Sequence, residues 1–160
     1  MPDANNIVIG AAQVLVDAVD VGYTTGGATV RYEQEQVEVM ADQAVGVVRK
    51  ARSSERMFVT TTLLEVTLEQ LRQAFMLPEA SLVGGTTLTL GYNDSCWVDE
   101  VAITLIGSSP GCGTRTWTLP RCVTFGEREY NMQREEATAF EVEFEILKDS
   151  SGNFGTIIDT

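Results

Sequence analysis

Carboxylates dominate the side chains of this sequence that can do chemistry. Glu141, Glu143 and Glu145 alternate along one stretch, Glu135 and Glu136 are adjacent, and Glu33 and Glu35 form a second alternating pair. Alternate positions on a strand lie about 7 Å apart, within the broad separation of glycosidase acid pairs. No aromatic sugar platform accompanies them, so a solvated strand face is the preferred reading. The chain has no histidine, which removes the commonest general base and metal ligand and every Ser-His-Asp or Cys-His arrangement. Cys96, Cys112 and Cys122 are odd in number and widely spaced, so neither a disulfide framework nor a zinc knuckle is written here and free thiols are expected. No Walker A, strand-linked GxGxxG, HExxH, GxSxG or EF-hand loop occurs. The expectation is a protein without catalytic site, metal or cofactor. Asn93, Asp94 and Ser95 spell a glycosylation sequon, without consequence because MPDANN lacks the basic and apolar regions of a secretory leader.

Eleven basic and twenty-three acidic residues give a formal charge of −12, which repels nucleic acid and anionic membranes. The charge is uneven. Arg49, Lys50, Arg52 and Arg56 place four of the eleven cations in eight positions, whereas residues 127–149 hold eight acids against three bases. Opposite patches of this kind can serve as contacts between copies.

The elements that must position these groups are mainly strands. With 44% hydrophobic and 21% charged residues in 160, the chain suits one domain with its own core. No apolar run approaches the ~20 residues of a membrane helix. AAQVLVD reads as a first strand, followed by the turn-rich GYTTGG. Ala28, Val30 and Tyr32 share one parity and Val37 and Val39 the other, which calls for a bulge or turn near residues 33–36. Residues 40–56 lack strand periodicity and read as a long loop, and RMFVTTTLLEV as a strand. TLEQLRQAFML is the one clear helix, with Thr67 and Gln70 forming a capping box, Leu68, Leu71, Ala74 and Phe75 an apolar stripe, and Pro78 the stop. TTLTLGY aligns Leu88, Leu90 and Tyr92. EVAITLIG is apolar on both faces and therefore central, and SSPGCG is a loop. In TRTWTLPRCVTF, Trp117 and Leu119 share a face while Pro120 argues for an edge or a break. AFEVEFEIL turns Phe140, Val142, Phe144 and Ile146 one way and its glutamates the other. The tail, residues 149–160, is loop-like but carries Phe154, Ile157 and Ile158, which suggests docking. Eight or so strands and one helix make a single mainly β domain, a β-sandwich or small barrel with one flanking helix.

In order, VDVGYTTGGATVRYE, EQEQVEVMADQAVGVV, LLEVTLEQLRQAF and FEVEFEILKDSSGNFGTI resemble the tail tube proteins (major tail proteins) of long-tailed bacteriophages. The match covers most of the chain, residues 79–126 being least diagnostic. The resemblance implies a non-enzymatic virion protein, made in the host cytoplasm, whose hexameric rings stack into a hollow conduit for DNA ejection. It also implies a fold shared with contractile-tail and bacterial secretion tubes, and a long loop after the second strand that reaches a neighbouring ring. Implied partners are the chain itself and tape measure, tail-terminator and distal tail proteins, with a sheath in contractile tails. DNA passes without specific binding, and no membrane is involved. On this basis Glu33, Glu35, Glu141, Glu143 and Glu145 are candidates to line the channel, and Asp42, Gln43, Arg49, Lys50, Arg52 and Arg56 to make contacts between subunits or rings. A distal tail or tail-terminator protein of related fold, and a small β-barrel holding an apolar ligand, are the alternatives.

Overall fold

Alternating apolar residues build the strands, and one face of a single curved sheet gathers them. The computed structural model describes residues 3–91, 97–132, 134 and 136–160. Tyr92, the sequon at Asn93 to Ser95, Cys96 and Glu135 lie outside the described residues. Among the described residues ten strands and one α-helix follow in order: β1 (Gln13–Val16), β2 (Val19–Asp20), β3 (Thr24–Met40), β4 (Val47–Leu63), α1 (Leu68–Ala74), β5 (Leu82–Val83), β6 (Thr87–Leu88), β7 (Val101–Ser109), β8 (Gly113–Phe125), β9 (Phe140–Ile146) and β10 (Thr156–Asp159). The fold is mainly β with one flanking helix. Eight strands form an antiparallel sheet in the order β2-β1-β7-β8-β9-β4-β3, with β10 also paired to β8.

The inner face carries one core. Val14 and Val16 of β1, Ile103 and Leu105 of β7, Leu119 and Cys122 of β8, Phe140, Val142, Phe144 and Ile146 of β9, and Val59 and Leu63 of β4 are all buried together. The sheet curls until its ends meet. Val16 and Val21 from one end and Thr61 and Leu63 from the other line a common void of about 10 Å3 with Gln70, Gln73 and Ala74 of α1. The helix therefore closes an open barrel.

Its capping box forms as the sequence predicts: the Thr67 hydroxyl accepts from Gln70 N at 3.3 Å, and Gln70 Oε1 accepts from Thr67 N at 2.8 Å. The stripe differs. Gln70, Gln73 and Ala74 are the buried residues of α1, Leu71 and Phe75 pack at the rim of the core, and Leu68 is half-buried. The void beneath the helix is lined mainly by apolar side chains, and across it Gln70 Nε2 donates to the Val21 carbonyl at 2.7 Å. The helix also stops before Pro78. Met76 takes φ 55°, with Met76 N bonded to Gln73 O at 3.1 Å and Leu77 N to Arg72 O at 2.9 Å, a Schellman closure.

The largest departure concerns residues 40–56, expected as a loop. β3 and β4 are each 17 residues long and pair along their whole length, so only residues 41–46 form the connection. β4 meets β9 only from Met57 to Leu63. The rest of the hairpin leaves the barrel as a two-stranded arm. Strand periodicity reports burial of one face, and the arm buries neither, so the pattern is silent where the backbone pairing is complete. The bulge near residues 33–36 is present, between Glu35 and Gln36, but the extra residue is Ser53 of β4. β3 therefore keeps its alternation, and Val37 and Val39 fall on the side of Glu33 and Glu35, opposite Tyr32.

The remaining differences follow from pairing partners. Of the described residues of TTLTLGY, 86–91, the two of β6 form strand, paired with β5, and Leu90 is exposed. β7 is central, between β1 and β8. Pro120 sits inside β8 and not on an edge. There the neighbour on one side changes from β10 (Arg115 to Thr118) to β9 (Cys122 to Phe125), and on the other the β7 register shifts, so no ladder bond needs its missing N–H. The tail docks on its own domain: β10 pairs with β8, and Arg115 holds Asp159 through two bonds of 2.7 Å.

Candidate functional site

The two carboxylate rows, separate in sequence, meet on one surface. Cross-strand partners share a face, and the register pairs Glu33 with Arg56, Glu35 with Ser54, Glu145 with Phe58, Glu143 with Thr60 and Glu141 with Thr62. All five candidate lining residues thus lie on the outer face of β3, β4 and β9, away from the core. β8 adds Val123 and Phe125, opposite Glu145 and Glu143.

This face is less acidic than the glutamates alone suggest. Arg31 bridges Glu33 and Glu143 at 3.0 and 2.9 Å, and Arg56 binds Glu145 at 3.0 Å. Both guanidiniums lie over the Phe58 ring, at 4.5 and 4.9 Å from its centroid. Phe58 is thereby buried on the outer side of the sheet. Cation–π contact and ion pairing fix the two arginines side by side, and Glu145 holds the Arg56 pKa above its ordinary value. Arg56, grouped in the sequence with the arm cations, is engaged within the subunit. Arg31 was missed by sequence reasoning, although its odd-numbered position beside Glu33 and Glu35 was the available signal.

The other candidate contact residues lie on the arm. Asp42 and Gln43 are exposed in its tip, where Ala44 N bonds to Ala41 O at 3.0 Å. Lys50 pairs with Glu38 across the hairpin at 2.8 Å, and Arg52 with Glu55. Arg49 makes no ion pair among the described residues. Val37, Val39, Met40, Val45, Val47 and Val48 are all exposed along the arm.

The arm is braced at its root. The Glu55 carboxylate accepts from Tyr32 Oη at 2.8 Å and Lys148 Nζ at 2.7 Å, and Phe154 stands edge-on to Tyr32 with centroids 6.5 Å apart. Lys148 and Tyr32 hold the Glu55 carboxyl below its ordinary range. Beside this brace, a cleft of about 420 Å3 opens between the arm and β8, walled by Met57, Trp117, Leu119 and Phe154.

Cys112 and Cys122 are free, the first exposed and the second buried. No known protein family matches the chain, and no curated protein matches it significantly.

Proposed function

We propose that this chain is a self-assembling tube subunit of a bacteriophage tail, in which the outer face of β3, β4 and β9 lines the conduit. The observation that carries this reading is the union of both acidic rows on one sheet face that ends in an open edge. β3 is the last strand of its sheet, so along its 17 residues the backbone groups of alternate residues, those turned away from β4, are unpaired. A long open edge invites pairing with another chain, and pairing around a closed ring extends the acidic face into a continuous wall. The arm supports the same reading, because an isolated two-stranded hairpin is marginal in water and this one exposes six apolar side chains.

A wall for passing DNA must not hold it. Five carboxylates against Arg31, Arg49 and Arg56 leave this face at −2 by count. Arg31 and Arg56 are already bound to carboxylates and lie over the Phe58 ring, so they are poor phosphate ligands. The net field repels phosphates within a screening length of about 8 Å at physiological salt. Purified protein is expected to form rings or tubes under negative-stain electron microscopy. A single monomeric species across a wide concentration range rules the reading out. A ring whose lumen lacks all five glutamates overturns the wall assignment alone.

A further inference from the structure

We propose that the cleft at the root of the arm binds a small amphipathic anion, a monocarboxylate whose apolar body lies among Met57, Trp117 and Phe154 and whose charged group meets Arg52 and Lys148. The site follows from how the strands part. β9 covers the edge of β4 as far as the pair Met57 and Ile146. β10 takes over the same side of β8 from Thr118 to Arg115, yet it pairs with β8 alone among the described strands. The arm and β10 therefore diverge, and the cleft of about 420 Å3 opens between them. That size lies within the range of about 300–1,000 Å3 typical of small-ligand sites.

Its walls are apolar and its rim is cationic. Met57, Trp117 and Phe154 pack at the edge of the core and are only half-buried, and Ile157, opposite Trp117 in the sheet, is exposed. Covering this surface with an apolar ligand removes it from water, which is favourable. Glu55 is the deeper charge at the rim. Its side chain is 13% exposed, against 58% for Arg52 and 43% for Lys148, and it pairs with both. Tyr32 Oη donates to it as well. The carboxylate is thus committed to groups of its own chain, while the two cations stand outside it. An ammonium has three donors and a guanidinium five, so both keep donors for a further acceptor. Two cations around one covered carboxylate leave a local charge of +1, in a protein of −12. Lys148 Nζ lies 5.1 Å from the Phe154 ring centroid. Positive charge and apolar wall are therefore adjacent, the arrangement that an amphipathic anion needs.

Equilibrium dialysis of the full chain against octanoate, below its micelle concentration, tests the site. Octanoate is expected to bind saturably, one per chain. Octylamine, with a like chain and the opposite charge, and acetate, without the chain, should bind at least about tenfold more weakly. Arg52→Gln should weaken octanoate by about fivefold, the loss of one exposed ion pair. Lys50→Gln makes the same charge change elsewhere on the arm and should leave the affinity unchanged. Asn153→Trp places a bulky ring at a residue lining the cleft and should abolish binding. Circular dichroism reports the folding of each variant. Should Arg52→Gln or Asn153→Trp unfold the chain, Lys148→Gln or Thr156→Trp takes its place. Absence of saturable octanoate binding, or equal binding of octylamine, overturns the proposal. So does full affinity in a folded rim or cleft variant, or an equal loss in Lys50→Gln. The tube reading is untouched by any of these results, because it is decided by microscopy of the unliganded protein.

Discussion

Replacing Gln70 tests whether one buried amide holds the barrel closed. Its Oε1 satisfies the Thr67 N–H at the start of α1, and its Nε2 satisfies the Val21 carbonyl just past β2. Gln70→Ala removes both partners. Val21 is 2% exposed, so water does not replace the lost donor, and an unsatisfied buried carbonyl costs about 1–3 kcal/mol. Loss of half the capping box adds about 0.5–1.5 kcal/mol. The expected destabilisation is about 1.5–4.5 kcal/mol. That is a large share of a total stability of order 5–15 kcal/mol, and a fall in thermal midpoint of about 3–18 °C. Thr67→Ala removes the cap and spares the bridge, and should cost only about 0.5–2 kcal/mol. Gln70→Glu keeps the acceptor but turns a carboxylate towards the Val21 carbonyl, so the introduced group titrates above its unfolded value in the folded chain. Its deficit is therefore full at pH 7 and shrinks as pH falls towards about 4, where the protonated acid can donate. Urea unfolding followed by tryptophan fluorescence, at protein concentrations too dilute for assembly, measures all three. If Gln70→Ala costs no more than Thr67→Ala, or if the Gln70→Glu deficit does not change with pH, the bridge does not close the barrel.

Three further outcomes are expected. Ala18 sits at φ 64° beside Asp17 at φ 50° in the β1–β2 turn, so Ala18→Gly should raise stability by up to about 1 kcal/mol, and an unchanged urea midpoint would count against strain there. Burial pushes the Cys122 thiol up to about 12, so native protein at pH 8 should resist iodoacetamide at Cys122 and take it up at exposed Cys112; mass spectrometry of the peptides decides, and equal labelling refutes the packing. Lys148 and Tyr32 lower the Glu55 pKa, Arg121 that of Glu100, Arg72 that of Glu69 and Arg115 that of Asp159. Groups depressed in the folded chain stabilise it above their unfolded values and lose that effect as pH falls through the folded ones, so the thermal midpoint should drop below about pH 4, and a midpoint flat to pH 2.5 would contradict these ion pairs.

The elements whose side chains divide cleanly between core and solvent were legible in the sequence. Phe140, Val142, Phe144 and Ile146 alternate with glutamates because β9 lies on the core with one face, and a period of two is the direct consequence. The capping box of Thr67 and Gln70 was legible because it is made within four residues. Three other features were decided only by the folded chain. The arm is strand without burial, so its alternation carries no hydrophobic signal, and its backbone bonds to β3 are invisible to residue type. Gln70 is inside because its amide meets the Val21 carbonyl across the seam that the helix fills, a contact set by how far the sheet curls. The meeting of Glu33 and Glu35 with Glu143 and Glu145, and the capture of Arg31 and Arg56 among them over Phe58, depends on which residues of β4 stand opposite which residues of β3 and β9. Sequence fixes the parity of each strand, whereas register between β4 and β9, whose partners lie 77 to 89 residues apart, follows from the packing of Phe58, Val59 and Phe144 against their neighbours.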